Sequence, residues 1–325
     1  MCTAIRIPGF AGRNLDVERG YGERIIITPR NYGLSFKRAE TIRSHYAFFG
    51  IGVIDSSYPL YFDAANEKGL YAAGLNYLEN AKYKDEKESF LNLAPYELIP
   101  YLLATCASVG EVKSELSRIN VCNIPFRAGL PVAQLHFFIA DKERSLAVEP
   151  DENRINVYDN PTDVLTNNPP FPMQLFNLND YSHLSRSTVK TSFCNKLKLQ
   201  EYSGGLGAIG LPGDLSSKSR FVRAAFHRLN TTGEDSIAKI MRLLASVEMP
   251  EGSLKNIRGF ERTEYVSAVD LSSLSYVYRS YDSLLPYCVR LTAENLDLAS
   301  LISYPVIENT EPLCQNDSTK SIYKI

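Results

Sequence analysis

The chain has no tryptophan among its 325 residues, although its 20 Tyr and 15 Phe are enough for either an aromatic core or apolar pockets. Its six cysteines, Cys2, Cys106, Cys122, Cys194, Cys288 and Cys314, are widely spaced and form no CxxC pair. That excludes a zinc knuckle and a thioredoxin-type redox motif, and no other metal or organic cofactor is implied. The five beyond Cys2 read as buried free thiols in a reducing compartment. No apolar run approaches the ~18 residues that span a bilayer, and no basic region precedes an apolar stretch at the N-terminus as in a secretory signal. A net charge of −2 argues against a nucleic-acid partner held through phosphates. Internal repeats and long linkers are also missing. The glycine-rich stretch 204–213 lacks the GK[ST] that would close a phosphate-binding loop. These absences leave a cytoplasmic protein without membrane or nucleic-acid partners.

Hydrophobic content of 44% and charged content of 22% are those of a globular chain. The pattern reads as one domain over residues 1–325, with a mobile polar tail from Glu308. Strand signals run through 2–7, 24–29, 46–53, 59–63 and 69–75. A buried helix over 95–104, kinked by Pro100, follows. Ser108 and Glu111 then open an amphipathic helix with Val112, Leu116 and Ile119 on one face. More strands are expected at 134–140, 145–149 and 154–158, with Asp141–Arg144 as a tight turn. Helices are expected at 171–181 and 219–229, and a further one capped by Thr232, before strands at 264–271, 275–281 and 286–291. Blocks of strands separated by helix pairs predict an α+β fold of two antiparallel sheets covered by helices, not a βαβ alternation.

The chemistry concentrates at Met1-Cys2-Thr3-Ala4. The small second residue makes removal of Met1 expected, which leaves a thiol and a free α-amine on one residue. The amine is a usable base near neutral pH beside a strong nucleophile. Such a pair needs a cation to favour thiolate, a partner for the amine, and donors aimed at a developing oxyanion. Taken singly, the candidates are ordinary. Arg13 and Asp16 would form a surface ion pair, Asn76 and Asn167 turn residues, and Arg220 and Arg223 an exposed helix face.

Four blocks occur in order after Cys2: Gly12-Arg13-Asn14-Leu15-Asp16; Asn66-Glu67-Lys68-Gly69-Leu70 leading to Ala73-Gly74-Leu75-Asn76; Leu165-Thr166-Asn167-Asn168-Pro169; and Gly210-Leu211-Pro212-Gly213-Asp214 with Ser219-Arg220-Phe221. Together they resemble the choloylglycine hydrolase family of bile salt hydrolases and penicillin V acylases, over nearly the whole chain. The resemblance implies a four-layer αββα N-terminal-nucleophile hydrolase sandwich. It implies Cys2 as nucleophile and base, Arg13 beside the thiol, Asp16 holding the α-amine, Asn167 and the Asn76 position as oxyanion hole, and Arg220 completing the polar cluster. It also implies a homotetramer. Leu135-His136-Phe137, where many bile salt hydrolases carry Trp after His, and Ala268 after Ser267, where many carry Cys, depart from the pattern.

The reaction so implied is amide hydrolysis through a Cys2 acyl-enzyme, on glycine- or taurine-conjugated bile salts or, alternatively, on penicillin V. Leu15, Tyr21, Tyr77, Leu78 and the stretch Phe126–Leu130 are candidate pocket walls. Two rivals from other classes remain. One is a papain-like site pairing Cys2 with His136 or His227, which the first reading opposes by expecting either His→Ala change to leave activity largely intact. The other is a binding protein with a degenerate site.

Overall fold

The computed structural model describes residues 1–187, 194, 196–197, 199–200 and 202–312. Of the tail expected from Glu308, residues 313–325 lie outside the described residues, as does Cys314.

Two antiparallel sheets form the middle of the molecule. Sheet I has the order β12 (Val164–Leu165), β1 (Cys2–Ile7), β2 (Phe10–Val17), β14 (Phe260–Asp270), β15 (Ser275–Ser280) and β16 (Tyr287–Arg290), with β13 (Leu254–Lys255) paired to β14. Sheet II runs β11 (Ile155–Asp159), β10 (Ser145–Pro150), β9 (Leu135–Ala140), β6 (Tyr71–Asn76), β5 (Tyr58–Asn66), β4 (Phe48–Asp55), β3 (Arg24–Thr28) and β17 (Ile302–Pro305). A short parallel pair joins β7 (Leu91–Leu93) to β8 (Ile119–Val121). Helices α4 (Ser217–Asn230) and α5 (Ile237–Ala245) pack on β1, β2 and β14 of sheet I, and α1 (Leu98–Thr105) packs on β5 and β6 of sheet II. Val109 and Val112 of α2 (Val109–Glu115) join the same apolar cluster as α1, and α3 (Phe171–Asn177) follows β12, continued by a 3-10 turn over Leu178–Tyr181. The outcome is two antiparallel sheets covered by helices, as the strand and helix order predicts, in the αββα layering that the resemblance implies.

The sheet I hairpin determines where the chemistry goes. All of β1 is buried, as a strand covered on both faces requires. Cys2 lies opposite Leu15, Thr3 opposite Asn14 and Ala4 opposite Arg13, and directly opposed residues share a face. Cys2, Arg13 and Leu15 therefore look toward sheet II, while Thr3, Asn14 and Asp16 look toward α4 and α5. The repeated glycines of β4 reflect close backbone approach, because a Cβ on Gly50 would stand 2.0 Å from the Asp63 carbonyl oxygen. Gly52 follows a register shift after Ile51.

Several local expectations change. Residues 12–16, read only as a motif, lie within the central strand β2. Pro100 sits in the first turn of α1 instead of kinking a longer helix, because a first-turn amide needs no intrahelical acceptor. The last helix is capped by Ser236, whose side chain accepts the Lys239 N–H, not by Thr232. Asp141 does close the β9–β10 turn, accepting the amides of Glu143 and Arg144. Cys106 and Cys122 are buried free thiols, but Cys194 and Cys288 are exposed. Cys288 lies on β16, the edge strand of sheet I, where alternate side chains meet solvent.

Candidate active site

Arg13 is fully buried, and each of its nitrogens has an acceptor. Nη2 donates to the Cys2 sulfur at 2.7 Å, and Nη1 to the Phe62 and Gly74 carbonyls of sheet II at 2.9 and 2.8 Å. Nε reaches the Asn14 carbonyl at 3.4 Å. Burial by itself would lower the Arg13 pKa, but the charges of Cys2, Tyr265, Asp63 and Tyr71 raise it well above its ordinary value. The guanidinium is thus a fixed cation in contact with the Cys2 sulfur.

On the other face of the hairpin, Arg220 projects from the first half of α4. Its Nη1 donates to the Cys2 carbonyl and to Thr3 Oγ1, both at 2.6 Å, and Nη2 donates to Asn167 Oδ1 at 2.8 Å. Nη1 also lies 3.7 Å from Asp16 Oδ2, with both side chains shut off from solvent. Burial lowers the Arg220 pKa, and the charges of Asp16, Cys2 and Glu261 oppose that shift. The Gly210–Asp214 block lies in the loop that leads into this helix. Asp214 accepts the Ser216 amide at 2.9 Å and the Ser219 hydroxyl at 2.5 Å, which holds its carboxyl down at about 2. Arg223, the neighbour with no expected role, binds the Ser246, Pro212 and Asp214 carbonyls.

Asp16 takes the Thr263 hydroxyl on Oδ1 at 2.7 Å. Its Oδ2 is buried and has no hydrogen-bond partner among the described residues. Burial raises its pKa, opposed by Arg220, the terminal amine, Thr263 and Arg13. With Met1 in place, the Cys2 nitrogen has a single hydrogen and gives it to Asn167 Oδ1 at 2.8 Å, not to the Asp16 carboxylate. The Met1 amine binds the Asp16 carbonyl and pairs with Glu261 Oε2 at 2.6 Å. Asn167 Nδ2 donates to the Asn76 carbonyl at 2.7 Å. The hairpin, α4, β6 and the loop after β12 thereby bring Cys2, Arg13, Asp16, Asn76, Asn167 and Arg220 into one cluster.

A cavity of about 380 Å³ opens over the sulfur, lined by Cys2, Leu15, Tyr21, Asn76, Phe126 and Leu130 among others. Its size is within the range of small-molecule sites, about 300–1,000 Å³. A hollow of about 570 Å³ around Arg30, His45, Glu67 and Lys68 is larger but does not contain Cys2. Two expected walls are elsewhere. Tyr77 is 3% exposed and stacks on His136, with ring centroids 4.3 Å apart. Leu78 is exposed, and its carbonyl takes the Asn168 side chain. The chain leaves β6 at Asn76, and neither residue lines the cavity. Ile99, Ile124 and Val132 line the cavity and were missed, because an apolar residue in a loop or helix has no signature separating pocket from core.

Neither histidine of the papain-like rival faces the sulfur. His136 is fully buried, with Nδ1 3.1 Å from Glu149 Oε1 and Nε2 2.8 Å from the Thr166 carbonyl. His227 lies on α4 beside a different hollow. Burial, with the charge of Arg223, lowers its pKa.

Residues 2–304 match the family model for linear amide C–N hydrolases of the choloylglycine hydrolase family. The chain is 46% identical to a bile salt hydrolase/transferase of Lactiplantibacillus plantarum, over 94% of this chain and 97% of that protein. A variant of the conjugated bile acid hydrolase of Clostridium perfringens has a crystal structure that superposes with a TM-score of 0.92 at 32% identity, covering 97% of this chain and 100% of the other. A penicillin V acylase of Agrobacterium tumefaciens shares the fold alone, with a TM-score of 0.72 at 20% identity over 93% of this chain and 90% of that one. The chain belongs to the choloylglycine hydrolase family and is a hydrolase of linear amide C–N bonds.

Proposed function

We propose that this protein cleaves the amide bond of glycine- or taurine-conjugated bile salts, with Cys2 as the terminal residue after Met1 is removed. The observation that carries this reading is the Arg13 Nη2–Cys2 Sγ contact of 2.7 Å at the base of the apolar cavity. A steroid acid needs such a cavity for its rings, and its scissile carbonyl would reach the sulfur.

The thiolate attacks the carbonyl carbon, forming the S–C bond and moving the π electrons onto oxygen. Asn167 Nδ2 has a second hydrogen beyond the one given to Asn76 and, with the Asn76 position, meets the oxyanion. Collapse breaks the C–N bond as the departing nitrogen takes a proton from the Cys2 ammonium. Glycine or taurine leaves, and the acyl group remains as a thioester. The amine then takes a proton from water, whose oxygen attacks the thioester, and the thiolate is regenerated with the free bile acid. A free ammonium has hydrogens beyond the one Asn167 accepts, and the unpartnered Asp16 Oδ2 suits one of them. No step calls for a metal or organic cofactor.

The reading extends to a cytoplasmic homotetramer, which cell fractionation and size-exclusion chromatography with light scattering test. No helix among the described residues is long and apolar enough to cross a membrane. The deciding experiment pairs intact mass with parallel assays on glycocholate, taurocholate and penicillin V. Loss of Met1 with turnover of a conjugated bile salt is the expected result. Retained Met1 in active protein, or turnover of penicillin V alone, overturns it.

A further inference from the structure

We infer that the buried pair His136–Glu149 is a positioning device that clamps the loop carrying Asn167 at both ends; the inference rests on the hydrolase reading above. The two residues face each other across β9 and β10, one step beyond the Val148–Phe137 pair. They are 0% and 3% exposed. Neither touches the Cys2 cavity, so their polar atoms must be accounted for elsewhere.

The accounting ends on loop backbone. His136 Nε2 lies 2.8 Å from the Thr166 carbonyl, which can only accept, so Nε2 carries the hydrogen. Glu149 receives the Phe171 amide on both oxygens, at 3.0 and 3.1 Å. Thr166 directly precedes Asn167, and Phe171 follows the Asn168-Pro169-Pro170 run. The two anchor points therefore bracket the residue whose side chain serves the Cys2 nitrogen, Arg220 and the Asn76 carbonyl. Ser217 Oγ accepts the Asn167 amide at 2.8 Å and fixes the loop from the α4 side. Tyr77, displaced from the pocket, covers the His136 ring at an interplanar angle of 3°.

A buried polar pair of this kind is an expensive way to hold a fold. It is a good way to hold one amide to the tolerance an oxyanion donor needs, since a displacement near 1 Å can cost about 10²-fold in rate. Asn167 reaches from a loop to the Cys2 nitrogen on sheet I, to Arg220 on α4 and to the Asn76 carbonyl on sheet II, and the clamp fixes the backbone of that loop to sheet II on either side of it.

The test measures kcat and KM on glycocholate together with the rate of Cys2 alkylation by iodoacetamide, which uses the thiolate but no oxyanion donor. Glu149→Leu removes the Phe171 acceptor. It is expected to lower kcat by about 10- to 100-fold, with KM changed less than about threefold and alkylation less than about twofold. Glu149→Gln keeps an acceptor for Phe171 and should hold kcat within about fivefold of the parent. His136→Phe keeps the stack on Tyr77 but loses the Thr166 contact, and should behave as Glu149→Leu. This revises the expectation that His136 is dispensable. A papain-like base at His136 would instead take alkylation down with kcat.

Unchanged kcat in a folded Glu149→Leu protein, or parallel loss of kcat and alkylation, overturns the clamp. Should neither Glu149→Leu nor His136→Phe fold, amide exchange in the unaltered enzyme decides. Protection of the Phe171 N–H supports the clamp, and exchange as fast as an exposed amide overturns it. Asn167→Ala separates the two readings. If it leaves kcat intact, the oxyanion assignment fails; if it lowers kcat while Glu149→Leu does not, only the clamp fails.

Discussion

Arg220 Nη1 stands 3.7 Å from Asp16 Oδ2 in a region sealed from water, and the same nitrogen holds the backbone carbonyl of Cys2. One cation thus faces the Asp16 carboxylate and fixes the backbone of Cys2. Arg220→Met keeps much of the apolar stem but leaves Asp16 without that cation and the Cys2 carbonyl without a donor. Breaking a buried pair from one side costs about 3–5 kcal/mol. Chemical denaturation should show a loss of that order, and the folded fraction should be inactive.

At Cys2 itself the change can be small in structure and total in chemistry. Cys2→Ala should lower kcat by at least about 10³-fold, with the melting temperature within about 4 °C of the parent. A Cys2→Ala protein that keeps hydrolysing glycocholate at the parental rate would remove the nucleophile assignment.

Arg13→Lys keeps a positive charge but cannot reproduce the planar fork that reaches the sulfur and two carbonyls together. Iodoacetamide labelling of Cys2 at neutral pH should slow by about tenfold or more. Calorimetry should show a stability loss of about 1–3 kcal/mol from the carbonyls left unsatisfied.

Asp214 gives a pH signature unrelated to catalysis. Its carboxyl lies below the ordinary 3.8, at about 2 in the folded chain, through the Ser216 and Ser219 hydrogen bonds. A depressed carboxyl stabilises the fold at pH values above its unfolded pKa, and that contribution is lost as pH falls toward the folded value. Asp214 is exposed, so solvent screening leaves about 1 kcal/mol. Asp214→Asn should be less stable than the parent at pH 6, with the gap closing between about pH 4 and pH 2.

Phe126 tests the pocket. It lines the cavity and packs on Tyr58 and Tyr96, with ring centroids 6.0 and 5.2 Å away. Phe126→Ala should raise KM for glycocholate by about 5- to 20-fold with little change in kcat, because the ring contributes binding that is uniform along the reaction.

That Arg13, Asp16, Asn76, Asn167 and Arg220 gather around Cys2 was legible because each is a polar residue embedded in a recognisable block, and buried polar groups need specific partners. The layer order was legible for a related reason, since strand and helix periodicities come in blocks. The identity of β2 as the central strand was not, because Gly12, Asn14 and Asp16 break the apolar pattern that marks a strand. Those positions face α4 and α5, where Asn14 finds the Leu244 carbonyl and Asp16 finds Arg220. The pocket was legible at four of its six expected walls, Leu15, Tyr21, Phe126 and Leu130. Tyr77 turned aside onto His136, a contact 59 positions away that no local signal encodes. The Glu149–Phe171 contact is likewise set by how sheet II meets the loop after β12.

Arg13 leaves its hairpin to take the Phe62 and Gly74 carbonyls of the opposite sheet. The placement of the guanidinium against the sulfur therefore depends on the packing of both sheets. A substitution that shifts sheet II near Phe62 or Gly74 would therefore move the Arg13 fork, and with it the contact at Cys2, without touching either residue.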